Sequence, residues 1–186
     1  MSRNIKGIKF TYEDYLLFPD DGKRHELIDG EHYMTPAPST KHQRISRKVL
    51  GALENYLKDH RLGEVFYAPC DVVLSDVDVV QPDLLFISAP HSSIITEKNI
   101  QGTPDLIVEI LSDATRKTDE VIKRKLYERH RVQEYWIVDP ELETVKVYRL
   151  GDQGYIRSAE LYREAVDTLS TPLRAYLFIS TFKHFT

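Results

Sequence analysis

Acidic residues stand beside two short apolar runs in the middle of the chain, and a basic segment follows them. Asp83 comes before the apolar run 84–87, Glu109 is the one polar residue within the run 106–111, and Lys123 lies in the charged stretch that comes next. Hydrolysis of a phosphodiester bond needs an activated water and neutralisation of charge on phosphorus, and Mg²⁺ held by one or two carboxylates supplies both. These residues therefore predict a metal-dependent phosphodiesterase site.

Each acidic residue also has an ordinary structural interpretation. Asp83 can cap the turn that Pro82 begins, and Glu109 can form a buried ion pair with Lys123. An ionised carboxylate inside an apolar strand is costly unless it is paired or bound to a metal, so Glu109 is the harder one to explain structurally. If the strands of Asp83 and Glu109 are antiparallel neighbours, both carboxylates reach the same edge of the sheet. Asp105 also follows a proline, but it lies at the opposite end of its strand and is expected to cap the strand entry.

The charged stretch 118–130 has a helical pattern that selects one of its lysines. Asp119, Lys123 and Tyr127 recur every four residues and therefore share one helix face. Lys125 points elsewhere, which favours Lys123 as the inward lysine; a rotation of the helix by one residue would select Lys125 instead. Tyr127, like Trp136, is expected to be a core aromatic residue rather than a platform for stacked bases.

The segments before these runs predict the elements that position them. Residues 11–20 have the pattern of a short helix that stops at Pro19. Asp29 and Gly30, between two strand-like runs, predict an N-terminal β-hairpin with Glu26 on its first strand. A second, longer helix is predicted over about 40–59, where apolar residues have helical spacing.

The apolar runs predict a mixed sheet. The runs 82–87 and 106–111 are apolar on both faces, which is typical of central strands. The helical pattern 118–130 lies between the strand-like runs 106–111 and 135–138, and a strand–helix–strand order implies a crossover between roughly parallel strands. We therefore expect an α/β (α+β) fold in which helices flank a central mixed sheet.

Length and composition limit the class of protein. The chain has 186 residues, of which 41% are apolar and 29% charged, and we expect one domain over residues 1–186. No segment has the form of a signal peptide or a membrane span, and a lone Cys70 excludes an internal disulfide, so a cytoplasmic protein without membrane contact is expected. The net charge of −4 disfavours strong binding of nucleic acid overall, but the basic stretch 116–131 could hold phosphates locally. Zinc, serine-hydrolase and nucleotide-binding motifs are absent from the sequence.

Taken together, several of these segments resemble the Uma-two family of restriction endonucleases, which belongs to the PD-(D/E)XK nuclease superfamily. The resemblance covers about residues 10–150 and is carried by residues 24–31, His42, Gln81-Pro82-Asp83, the run PDLIVEILS, Asp119, Lys123, Tyr127 and residues 132–140. It implies a restriction-endonuclease-like core, a divalent metal such as Mg²⁺ or Mn²⁺, and cleavage of DNA. The superfamily resemblance and apolar C-terminal residues also favour a homodimer.

The resemblance also implies a role for individual residues. Asp83 and Glu109 match the two metal-binding acids, the main-chain carbonyl of Ile110 is a further metal ligand by analogy, and Glu26 matches an early acid that adds a ligand or holds a water. Two positions after Glu109, where the superfamily has lysine, this chain has Leu111, and Lys123 on the following helix replaces it. The alternative is a catalytically silent nuclease-fold protein that serves binding or assembly. The role of His42 is left open.

Overall fold

The computed structural model of the protein describes residues 9–162, 168–170 and 176–178. Its helices are short except for one. They are α1 (Tyr12–Tyr15), α2 (Thr40–Asp59), a 3₁₀ helix (Ala89–Ile94), a π-helical turn (Thr118–Lys123) and α3 (Arg124–Arg129), which continues from that turn. None of the helices in these residues is long and apolar enough to cross a membrane.

The strands form two larger sheets and one small one. The strands are β1 (Arg24–Ile28), β2 (Glu31–Thr35), β3 (Gly63–Tyr67), β4 (Val72–Ser75), β5 (Asp78–Val80), β6 (Leu84–Ser88), β7 (Ile100–Gln101), β8 (Leu106–Ile110), β9 (Glu134–Asp139), β10 (Thr144–Gly151), β11 (Gly154–Tyr162), β12 (Thr168–Ser170) and β13 (Tyr176–Phe178). The six-stranded sheet has the order β11-β10-β9-β8-β6-β3, the five-stranded sheet has the order β2-β1-β5-β4-β7, and β12 pairs with β13.

The six-stranded sheet is the centre of the fold. Because side chains alternate along a strand, β6 and β8 bury apolar residues on both faces. One face packs on α2, in a cluster that joins Leu84 and Val108 to Ile45. The other face packs on the five-stranded sheet and α3, where Ile107 contributes to a cluster with Val80 and other residues. The predicted mixed sheet with flanking helices is confirmed, and a second sheet covers part of one face.

The predicted N-terminal hairpin is confirmed and belongs to the second sheet. β1 and β2 pair antiparallel, with Ile28 opposite Glu31. Asp29 and Gly30 between them have φ of 53° and 72°, the left-handed values that a two-residue turn of this kind requires. A Cβ atom at Gly30 would lie 2.6 Å from the Cβ of Lys9, so glycine is also required by the close approach of the chain.

The helices differ from the predictions mainly at their ends. α2 covers the predicted range, and its N-cap Ser39 accepts a hydrogen bond from the N–H of His42. α1 has Thr11 as its N-cap, but it ends at Tyr15, before Pro19, which was expected to stop it. The predicted helix 118–130 begins as a π-helical turn and becomes α-helical only at Arg124. The C-terminal residues on which the homodimer expectation depends lie largely outside the described residues.

Candidate active site

Asp83 and Glu109 lie at the same edge of the six-stranded sheet. Asp83 immediately precedes β6, and Glu109 is the penultimate residue of β8. The two strands are antiparallel neighbours with Leu84 opposite Val108, which meets the condition set in the sequence analysis, so the start of one strand lies beside the end of the other. Two carboxylates that are distant in the sequence thereby lie at the same end of the strand pair.

The Asp83 carboxylate is held by three donors from three different elements. Arg24 of β1 donates to Oδ1 at 2.9 Å, His42 of α2 lies 2.9 Å from Oδ2, and the backbone N–H of Ile110 donates to Oδ2 at 2.9 Å. Burial alone would raise the pKa of Asp83, but the hydrogen bonds and the positive charges beside it lower that pKa below its usual value. Asp83 is therefore an ionised carboxylate with a fixed orientation.

The Glu109 carboxylate has a different environment. Lys123 and Tyr127 donate hydrogen bonds to its Oε1, at 3.0 and 2.7 Å. Burial raises the pKa of Glu109 to about 8; Lys123 opposes this change, whereas the nearby carboxylates of Asp119 and Asp83 add to it. Glu109 therefore exchanges a proton near neutral pH, and a cation beside it would favour the ionised form.

Lys123 lies among three carboxylates. Its Nζ is 2.8 Å from Glu26, 3.0 Å from Glu109 and 3.8 Å from Asp119. Burial would lower the pKa of Lys123, but these carboxylates raise it well above the usual value, so the side chain is an ammonium. Lys125 is exposed, which confirms the prediction that Lys123 is the inward lysine. The third carboxylate, Asp119, has a pKa raised to about 6, chiefly by burial.

Glu26 connects this cluster to the second sheet. It lies on β1, as predicted, and its Oε1 accepts hydrogen bonds from Lys123 and from the backbone N–H of Gln81, the latter at 2.8 Å. Gln81 in turn donates to Asp71 of the loop before β4. The ammonium of Lys123 is thus shared by residues of both sheets.

A cavity of about 250 Å³ opens on this cluster. Its walls include residues of β1, β2, α2, β8 and the π-helical turn, and of the loops before α2, before β6 and after β8. The lining residues that belong to the cluster are Arg24, His42, Asp83, Glu109, Ile110, Asp119 and Lys123. Asp83 and Lys123 therefore line the same cavity.

The main-chain carbonyl of Ile110 faces the same side of β8 as Asp83. In a parallel or antiparallel strand, the N–H and C=O of one residue point to the same side of the chain. The N–H of Ile110 donates to Asp83, whereas the next residue, Leu111, donates to Val138 of β9 on the opposite side. The carbonyl expected from the sequence as a metal ligand is therefore directed toward the strand entry of Asp83.

The donor set fits a hard divalent cation better than zinc. Within the described ranges, no three His, Cys, Asp or Glu side chains form a metal-binding group. Mg²⁺, however, commonly takes one or two carboxylates and completes its shell with water and phosphate oxygens, which Asp83 and Glu109 can satisfy. Four buried carboxyl groups also outnumber the two side chains that carry a permanent positive charge here, Arg24 and Lys123. Because the pKa of Glu109 is raised to about 8, a proton offsets part of this surplus at neutral pH, and a divalent cation would take the place of that proton.

Sequence reasoning left open or missed several members of the cluster. His42, whose role was open, is buried against Asp83. Tyr127 is buried as expected for a core aromatic residue, but its hydroxyl also bonds Glu109. Arg24 was not predicted at all, and no local pattern marks it, because its partner Asp83 is 59 positions away. Trp136 is a buried core residue, as predicted.

Asp105 lies at the other end of β8, as expected. Its carboxylate accepts a hydrogen bond from the N–H of Ser88 at 2.7 Å, and its other oxygen is 2.7 Å from His91. It lines neither the cavity nor the cluster around Lys123. Its contacts therefore match the structural role at the strand entry that the sequence predicted.

Comparison with solved structures shows a shared fold. A crystal structure titled as a "putative nuclease belonging to DUF820" from Anabaena variabilis ATCC 29413 superimposes with a TM-score of 0.77 at 21% identity, covering 95% of this chain and 98% of that one. The type IIG restriction endonuclease BpuSI gives a TM-score of 0.44 at 16% identity, covering 81% of this chain and only 17% of that much longer one. No match was found among curated proteins.

A family model covers most of the sequence. The model of the Uma2 family, described as "Putative restriction endonuclease", matches residues 12–176. The matched range contains every residue of the cluster around Lys123 and both larger sheets. The chain belongs to the Uma2 family, and its fold is that of a restriction-endonuclease-like nuclease.

Proposed function

We propose that this protein is a metal-dependent endonuclease that hydrolyses phosphodiester bonds of DNA. The observation that carries the proposal is the convergence of Asp83, Glu109 and Lys123 on one cavity. Membership of the Uma2 family supports it, because the description of that family is "Putative restriction endonuclease". A buried pair of carboxylates beside a lysine is the chemistry that such a reaction needs.

The residues of the cluster take distinct roles in this proposal. Asp83, Glu109 and the carbonyl of Ile110 would hold Mg²⁺ or Mn²⁺, which supplies neutralisation of phosphate charge and an activated water. Lys123 would donate a hydrogen bond to a phosphate oxygen or to the attacking water. Glu26 supports the site because it holds the ammonium in place at 2.8 Å.

Three further residues position these groups. Arg24 and His42 fix the orientation of the Asp83 carboxylate and keep it ionised. Tyr127 donates to Oε1 of Glu109 and restricts that side chain. Tyr127 is fully buried and lines neither cavity, so it acts through Glu109, whereas Arg24 and His42 act through Asp83 and also line the cavity wall.

Cleavage of supercoiled plasmid in millimolar Mg²⁺ tests the proposal. The wild-type protein should convert plasmid to open and linear forms, EDTA should stop the reaction, and Glu109→Gln should abolish it. Glu134→Gln is the matched control, since Glu134 is a buried glutamate on the next strand that bonds Trp136 and Arg149 outside the cavity. Full Mg²⁺-dependent cleavage by Glu109→Gln would contradict the assignment.

A catalytically silent binding or assembly protein is the second candidate. The observation that favours it is that Asp83 already accepts three hydrogen bonds within the protein and Glu109 accepts two. Isothermal titration with Mg²⁺ and Mn²⁺ separates the two candidates. Heat of binding that disappears in Asp83→Asn supports the nuclease, and no heat at millimolar metal supports the silent protein.

Three broader expectations stay predictions. They are a single domain over residues 1–186, a cytoplasmic location and a homodimer. Light scattering of the purified protein would measure the last of these directly.

A further inference from the structure

A second cavity adjoins the acidic cluster. Its volume is about 670 Å³, and it lies between the first half of α2 and the end of β3. The residues shared by the two cavities are Arg24, Pro38, His42, Gln81 and Asp83. Asp83 therefore lies where the cavities meet, and a chain whose phosphate reached the cluster would continue into the second cavity.

One wall of this second cavity carries an exposed aromatic ring. Tyr67 is the last residue of β3 and pairs in register with Leu84 of β6. Directly opposed residues of an antiparallel pair point to the same face, so the ring lies on the α2 side of the sheet together with Leu84. The residue is 58% exposed, and the cavity beside it is also lined by Leu50 and Pro69.

A basic segment of α2 forms part of the opposite rim, although the whole chain is acidic. From Thr40 to Leu53, α2 contains four cationic residues and no acidic residue, Lys41, Arg44, Arg47 and Lys48, and of these Arg47 lines the cavity. Arg47 lines the cavity, is exposed and makes no ion pair with the residues that the structure describes. Lys23 also lines it, paired to Asp21 at 3.1 Å, and Asp20 is the one acidic residue at this rim apart from Asp83.

We propose that the second cavity binds an unpaired nucleotide of the DNA strand, with its base stacked on Tyr67 and its phosphate beside Arg47. The proposal rests on the nuclease function and names its substrate as DNA with a single-stranded segment next to the cleaved bond. The faces of a base in a duplex are covered by its neighbours, so only an unpaired base can lie against the exposed ring. An aromatic platform beside a basic groove is how proteins bind single strands.

Equilibrium binding without metal tests this site separately from cleavage. In EDTA, fluorescence anisotropy of a labelled oligothymidine is compared with that of a duplex of equal length. Tyr67→Ala should weaken binding of the single strand by roughly 5- to 150-fold, the usual effect of losing one stacked base. Tyr67→Phe, which keeps the ring, should bind as the wild type does. Arg47→Ala should weaken binding and flatten its dependence on salt.

Two matched controls exclude general effects of the substitutions. Tyr56→Ala removes a tyrosine of α2 that stacks on His60 outside both cavities, and Arg61→Ala removes an exposed cation outside both. Both should bind the single strand as the wild type does. An equal loss for single strand and duplex in Tyr67→Ala, or no loss for the single strand, would overturn the proposal, as would a loss of affinity in Tyr67→Phe.

The outcome also separates this site from the proposed reaction. If the protein cleaves plasmid in a metal-dependent reaction but Tyr67→Ala does not change its affinity for the single strand, the nuclease proposal is supported and the nucleotide site is contradicted. If single-strand binding depends on Tyr67 but the protein cleaves no DNA, the nucleotide site is supported and the nuclease function is contradicted.

Discussion

The two ends of the β6–β8 strand pair use the same local arrangement in different surroundings. At each end, an aspartate that follows a proline precedes one strand and accepts a hydrogen bond from the backbone N–H of the last residue of the other strand. A histidine ring lies within hydrogen-bond distance of each aspartate. Asp83 makes these contacts with Ile110 and His42, and Asp105 makes them with Ser88 and His91.

What differs is the rest of the neighbourhood. Asp83 also accepts from Arg24 and shares its cavity with Glu109, whereas the histidine beside Asp105 has a side chain that is 56% exposed. The shared arrangement joins the start of one strand to the end of the next, which is a structural role. The chemical role proposed for Asp83 depends on the second carboxylate and the cavity beside it, which Asp105 lacks.

The largest expected effect comes from exchanging the two aspartates for asparagine in turn. Asp83→Asn removes a charged oxygen from the proposed metal site and should reduce cleavage by about 10³-fold. Asp105→Asn removes the same group from the equivalent position and should leave the cleavage rate unchanged. Initial rates on plasmid DNA measure both, and urea unfolding shows that each variant is folded. Equal losses of activity would show that the two ends do not differ in the way proposed.

The next effect concerns the contribution of Lys123, which lies beside Glu109 at the Asp83 end of the strand pair, to the stability of the protein. Lys123→Met leaves three buried carboxylates without their cation and should lower the free energy of unfolding by about 3–5 kcal/mol. The exposed neighbour gives the control, because Lys125→Met should change that energy by no more than about 0.5 kcal/mol. Urea denaturation at neutral pH measures both. A loss below about 1 kcal/mol in Lys123→Met would mean that the cluster tolerates an unpaired charge.

A smaller effect should appear as a dependence of stability on pH. Burial raises the pKa of Glu109 in the folded protein to about 8 from an ordinary value of 4.5, so between these values the folded state holds a proton that the unfolded chain has released. Stability contributed by Glu109 is therefore greatest at low pH and declines as pH rises through this window, by at most about 1.4 kcal/mol per pH unit.

Glu109→Gln should remove this component. Urea unfolding in EDTA between pH 5 and 8 should show a shallower decline for the variant than for the wild type. Glu64→Gln, a change of an exposed glutamate of β3, should follow the wild-type profile. Parallel profiles for all three proteins would mean that Glu109 does not gain a proton on folding.

Local patterns in the sequence predicted the parts of the fold that depend on neighbours along the chain. The Asp29-Gly30 turn follows from the dihedral angles that only a few residues adopt, and α2 follows from its cap and its apolar spacing. The inward direction of Lys123 was also predictable, because Asp119, Lys123 and Tyr127 remain on the buried side even though the first turn is π-helical.

Contacts between distant segments could not be predicted in the same way. Glu26 and Lys123 are 97 positions apart, and nothing in their spacing specifies that one ammonium will lie between them. The second sheet was missed for the same reason: strand β5 has only three residues, and its pairing with β1 depends on tertiary packing. The resemblance to a family supplied Glu26 as a candidate where spacing could not.

The position of Lys123 between the two sheets affects which substitutions can accumulate in related sequences. Loss of any one of Glu26, Glu109 and Lys123 would leave a buried charge without its partner even in a protein that cleaves no DNA, so selection for folding alone disfavours single substitutions there. Persistence of these three residues in a related sequence is therefore expected with or without cleavage. Tyr67 and Arg47 are exposed at the second cavity, so folding does not require them. Their persistence in related sequences would therefore indicate ligand binding.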